Sequence, residues 1–171
     1  MSAVCCALLV AVALVVGACS VEREPRPDAT PPAVTLGTGA REFAPLAPDA
    51  ELLVIQGPQG GFHLLGSVRV VGLEPGDRDN LASPDNPTTE FRVLRAGVRI
   101  DARVARYTQG LAPVAGTDQH EMVGRFVILD IPDDALLDGV ELRFEVEVAD
   151  TLGAHASDSR MLLARPHPQN P

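Results

Sequence analysis

From Val140 to Val148 the chain alternates without a break, with Val140, Leu142, Phe144, Val146 and Val148 on one side and Glu141, Arg143, Glu145 and Glu147 on the other. Successive side chains of an extended strand point to opposite faces, so this stretch predicts a β-strand with one face buried and one in water. A helix would scatter the same residues around its circumference. A strand of this kind needs hydrogen-bonded neighbours and a second layer over its apolar side, which makes the whole domain's architecture depend on finding them. Val98 to Val104 supplies a second alternation, apolar at even positions and charged at odd ones. Glu51 to Gln56, Phe62 to Leu73, Glu90 to Leu94, Met122 to Ile131 and Ser157 to Ala164 read as further strands, and the proline-bearing Phe43 to Leu46 as a short edge piece.

The turns agree with the strands. Asp150-Thr151-Leu152-Gly153, with Asp first and Gly last, predicts a hairpin, and Arg95-Ala96-Gly97 predicts another. Pro132 to Leu137 is the one helical turn expected, started by proline and flanked by acids that suit a helix N-terminus. Fifteen prolines in 171 residues argue against a helical bundle. About seven strands with almost no helix predict an all-β, antiparallel sandwich. The stretch from Asp138 to Ser157 resembles the last hairpin of fibronectin type III and bacterial Ig-like domains, while the Cys, Trp and Cys of an immunoglobulin domain are missing. The expectation is a disulfide-free Ig-like β-sandwich over residues 41–165, preceded by a signal peptide and a disordered tether.

Residues 1–18 carry no charged side chain, and all but Ser2 and Gly17 are apolar. The run from Ala3 to Val16 is shorter than the roughly 20 residues a membrane span needs and fits the apolar region of a signal peptide. It ends in Val16-Gly17-Ala18-Cys19, which resembles the lipobox of bacterial lipoproteins, although the leader has no Lys or Arg before its apolar run. That resemblance implies cleavage before Cys19 and lipidation of Cys19 with three acyl chains, a diacylglycerol and a palmitate, enough for stable membrane anchoring. It also implies a cell-envelope lipoprotein, with Ser20 in place of Asp pointing to the outer membrane rather than the inner. Cys5 and Cys6 would leave with the leader, so the mature domain must be held by its core alone. Residues 19–40, with Pro25, Pro27, Pro31 and Pro32, read as a proline-rich linker, and residues 166–171 as a disordered tail.

Charge and motif content exclude several classes of function. A net charge of −9 argues against a nucleic-acid partner, whose binding rests on phosphate neutralisation. All 14 basic residues are Arg, so Schiff-base chemistry and Walker phosphate loops are excluded. Ser67 and Ser157 lie in no Gly-x-Ser-x-Gly elbow, and Glu141, Glu145 and Glu147 line one wet strand face, so no enzyme activity is expected. The loop around Asp77, Asp79, Asn80, Asp85 and Asn86 is rich in oxygen ligands but fails the EF-hand spacing at Leu81 and Ala82.

The most unusual local feature is Gly57-Pro58-Gln59-Gly60-Gly61-Phe62-His63. Paired glycines allow positive φ and close backbone approach, which predicts a tight turn or bulge into the following strand. The run resembles a Gln-Gly-Gly-x-His signature of predicted bacterial lipoproteins of unknown function, a resemblance that implies no activity. Gln59 and His63 are candidate ligand-binding residues at the sandwich rim, with His63 half-buried on the face opposite Phe62. Neutral imidazoles suit copper, zinc or nickel, so the alternative reading is a periplasmic metal-binding module using His63 with His120 or His155. No other cofactor is expected. The partners implied are the membrane, through Cys19, and an envelope or surface protein.

Overall fold

The computed structural model describes residues 30–170, so the leader, Cys19, the first part of the linker and Pro171 lie outside the described residues. Within them the chain is all-β. The strands are β1 (Ala33–Thr38), β2 (Ala44–Pro45), β3 (Glu51–Gln56), β4 (Phe62–Val71), β5 (Thr88–Arg95), β6 (Val98–Arg99), β7 (Ala105–Thr108), β8 (Ala112–Pro113), β9 (His120–Leu129), β10 (Glu141–Ala149) and β11 (His155–Pro166). They form one open sheet with the path β2-β1-β4-β3-β11-β10-β5-β6, to which β9 and β7 add by pairing with β4 and β5, and β8 by pairing with β9. Eleven strands replace the seven or so expected, partly because β2, β6 and β8 are two residues each.

β3 joins the two halves of this sheet. Glu51 to Val54 pair with Leu163 to Pro166 of β11, whereas Ile55 and Gln56 pair with His63 and Phe62 of β4. The β3–β11 pairing is parallel, unlike the wholly antiparallel arrangement expected. No hairpin links these strands, which come from opposite ends of the chain, so nothing local dictates their relative direction.

The halves lie face to face across one apolar core. Phe91 of β5 and Phe144 of β10 are fully buried with ring centroids 5.7 Å apart, and the Phe91 ring covers Gly66 of β4 so closely that an added Cβ there would sit 2.8 Å from it. Leu36, Val54, Leu64, Val68, Val93, Leu142 and Val148 complete the centre. In β10 the alternating sequence does what its pattern predicts: Leu142, Phe144, Val146 and Val148 are buried and Glu141, Arg143 and Glu147 exposed. Burying each of these apolar side chains contributes about 2 kcal/mol before entropy is counted.

The hairpin turns are built as their residues suggest. The Asp150 carboxylate accepts from the amides of Leu152 and Ala154, both at 2.9 Å, and Gly153 takes the left-handed conformation. Between β5 and β6, Ala96 and Gly97 both have positive φ, the two-residue geometry whose twist matches that of a hairpin. Pro132 to Leu137 ends in a single 3₁₀ turn, Asp134–Leu137, capped by the Asp133 side chain.

Three boundaries differ from expectation. Residues 33–38, within the predicted linker, form β1, because Val34 and Leu36 turn inward and the strand pairs with β4 from Ala33↔Val71 to Gly37↔Ser67. The predicted disordered tail is docked: Asn170 donates to the Val54 carbonyl and accepts from the Gln56 amide, each at 2.9 Å, and the His167 amide donates to Val54. The long strand expected over Val98–Val104 stops at Arg99. There the Asp101 carboxylate replaces a backbone acceptor for the Val93 amide, and the chain swings across to β9, where Asp101 bridges Leu129. It rejoins β5 only at Ala105.

Candidate functional site

The most exposed aromatic side chain of the domain follows from a one-residue fault in β9. Opposite β9, β4 keeps strict alternation, burying Phe62, Leu64, Val68 and Val70. On β9 the register slips, since Gly66 faces Arg125 but Val68 faces Met122, leaving one extra residue around Gly124. Gly124 has φ +70°, its amide donates to Ser67 Oγ at 3.0 Å, and an added Cβ would meet the Ala40 carbonyl at 2.7 Å. Such a bulge reverses the faces of everything beyond it. Met122 points inward, but so do Val127 and Leu129, while Phe126 and Ile128 turn outward and leave the Phe126 ring 56% exposed.

Phe126 stands between two cavities. One, of about 260 Å³, is lined by the Gly57–His63 turn together with Phe126 and Ile128. The other, of about 340 Å³, lies on its far side against residues 103–107. The first is shaped by the glycine-rich turn: the Gly57 amide donates to the Gly61 carbonyl, the Gly60 amide to the Gly57 carbonyl, and Gly60 and Gly61 are both left-handed, at φ +76° and +75°. Open space surrounds these two glycines, so it is their positive φ, not close backbone approach, that requires them. The structure thus brings Gln59 and His63 to one cavity.

His63 is half-buried and meets Phe126 edge-to-face, with ring centroids 4.7 Å apart and planes at 87°. Burial lowers its pKa from the ordinary histidine value, favouring the neutral ring. Across Phe126, the Tyr107 hydroxyl donates to the Phe126 carbonyl at 2.5 Å and fixes the strand beneath the exposed ring. Burial pushes the Tyr107 pKa up, opposed by the charges of Arg125 and Arg103. The result is an exposed aromatic ring flanked by the half-buried His63 on one side and by Tyr107 and residues 103–106 on the other.

The three histidines do not assemble. His63 faces Ile128 near one end of the β4–β9 pair and His120 faces Val70 at the other, roughly 20 Å of strand away. His155 opens β11, whose opposite end, twelve residues along, lies beside β3 and hence His63. A metal–nitrogen bond is about 2 Å, so the register does not bring His63 within reach of one ion with His120 or His155. Among the described residues no group of three or more His, Cys, Asp or Glu could hold a metal ion. The acidic loop spends its oxygens locally: Asp77 and Asn80 cap amides two residues on, and Asn86 accepts from the Asp77 amide while donating to the Asn80 carbonyl. Cys19 lies outside the described residues, and among those described no helix is long and apolar enough to cross a membrane.

Sequence reasoning missed Phe126 and Tyr107. The available signal was the run Phe126-Val127-Ile128-Leu129, apolar on both faces of a strand whose partners alternate, together with the chain's single tyrosine.

No family model matches the chain, and no curated protein matches it. Among solved structures it is similar to one titled "Structure of the N-terminal domain of PorA", at 12% identity and a TM-score of 0.24, covering 75% of this chain and 96% of that one. An overlap of that size defines no common architecture.

Proposed function

We propose that this chain is a lipid-anchored lipoprotein of the bacterial cell envelope whose β-domain is an Ig-like sandwich acting as a non-enzymatic interaction module. The observation that carries the reading is Phe126, an exposed aromatic ring between two cavities and backed by His63 and Tyr107, since aromatic side chains in such settings are the common anchors of protein interfaces. Its position supports the same idea. The first strand begins at Ala33, which pairs with Val71 at one end of β4, whereas the Gly57–Gly61 turn sits at the other end, ten residues of strand away. An anchor at Cys19 therefore holds the domain by one pole and presents the glycine-rich turn at the other. Two face-to-face sheet halves sharing β3 are the basis for the Ig-like description. Ser20 favours the outer membrane, and an envelope or surface protein is the proposed partner.

The anchor is tested by fractionation and labelling of the full chain. Cys19→Ala is expected to move the protein from the membrane pellet to the soluble fraction and to abolish incorporation of labelled palmitate. Unchanged sedimentation together with unchanged labelling would remove the lipoprotein reading.

A further inference from the structure

We infer that Arg125, Arg41 and Arg78 form a binding site for a phosphoryl oxyanion. All three line a cavity of about 310 Å³ on the side of β9 away from the Gly57–His63 turn. Two glycines build it. Gly110 is pressed against the 77–78 backbone, where an added Cβ would lie 2.2 Å from the Arg78 amide nitrogen, and the Leu111 amide ties the same loop down by donating to the Pro75 carbonyl at 2.8 Å. Gly124 makes the corresponding contact with Ala40, seating the turn that carries Arg41. Both loops thereby reach the cavity that Arg125 lines.

The charges at this cavity are poorly matched by acids. Among the described residues, eight arginines take part in ion pairs and four, Arg41, Arg95, Arg103 and Arg125, take part in none, two of them at this cavity. Arg78 has only Asp79, at 3.6 Å on the exposed surface. The one carboxylate in the cavity wall, Glu121, is held at 2.9 Å by Arg69. Arg125 Nε is buried with no acceptor, a state that costs about 1 to 3 kcal/mol unless a partner arrives. Arg95 and Arg103 are unpaired too but stand exposed in water, whereas Arg125 is half-buried and brings its orphaned Nε to the cavity. Guanidinium forks match the paired oxygens of a phosphoryl group, and several cations around one anion favour that class over a halide.

The test is calorimetric titration of the full chain in detergent with inorganic phosphate, beside sedimentation with phosphatidylglycerol vesicles, using Arg125→Gln, Arg41→Gln and, as control, Arg95→Gln. Saturable phosphate binding weakened about tenfold or more by either cavity variant and unchanged in Arg95→Gln supports a site for a free phosphate ion. Binding to the vesicles alone, with the same arginine dependence, supports the site with a lipid headgroup as its source. Absence of both, or binding equal in cavity and control variants, overturns it. Arg41 is exposed, so Arg41→Gln keeps the test decisive even if Arg125→Gln unfolds.

Discussion

Replacing Gly66 with alanine tests the apposition of the two sheet halves. The new methyl would lie 2.8 Å from Phe91 Cε1 and 2.9 Å from Cδ1 and Cζ, against an optimal carbon separation of about 3.5 to 4.0 Å. The obstacle is an aromatic ring, fully buried and packed on Phe144, so it has no solvent to move into. Gly66 has no positive φ, and alanine would otherwise gain roughly 0.5 to 1 kcal/mol in a strand by restricting the unfolded chain. Overpacking costs about 1 to 3 kcal/mol and decides the sign. The melting temperature of the full chain, followed by circular dichroism, should fall by roughly 3 to 10 °C. Phe91→Leu makes room, so in the double variant the alanine should cost at least about 0.5 kcal/mol less than it does alone. An unchanged melting temperature, or strict additivity of the two substitutions, would refute the face-to-face packing.

Other consequences are as direct. Gly61→Asn should cost less than Gly61→Ala, by several tenths of a kcal/mol or more, because asparagine tolerates the left-handed conformation and the surrounding space is open; equal melting temperatures would remove the positive-φ argument. Asp158 accepts from the Leu36 amide at 2.8 Å across the core edge, so Asp158→Ala should cost about 1 to 3 kcal/mol and strip hydrogen-exchange protection from the Leu36 amide; retained protection would contradict the tie. His63, with its folded pKa below the unfolded value, stabilises the fold fully above about pH 6.5 and loses that contribution as pH falls below it, since the unfolded chain then binds the extra proton. His63→Gln should therefore flatten the stability profile between about pH 5 and 7, and an unaltered slope would place the titration elsewhere.

What could be read from the sequence was whatever alternation alone decides. Glu51–Gln56 was legible to the residue and Val140–Val148 nearly so, because each has alternating residues that the core buries on one face. Val98–Val104 failed because alternation reports only that a segment could be extended, whereas the Asp101 side chain competes with the ladder and diverts the chain to β9. β1 was hidden by the prolines before it, and only its pairing with β4 gives Val34 and Leu36 a core to face. For the candidate site, the Gly57–His63 turn was visible by composition, and the cavity does join Gln59 with His63. Phe126 was not visible, since strict alternation from Met122 would bury it and only the bulge at Gly124, held by Ser67, turns it outward. Distance between histidines is likewise a property of register, which no spacing in the chain reports.

Site-specific photo-crosslinking in whole cells measures directly whether the Phe126 face meets a partner. A photoreactive residue in place of Phe126 should give a discrete adduct, while the same residue in place of Glu147, exposed on β10, should give none. Identical adducts from both positions, or none from 126, would contradict the central claim.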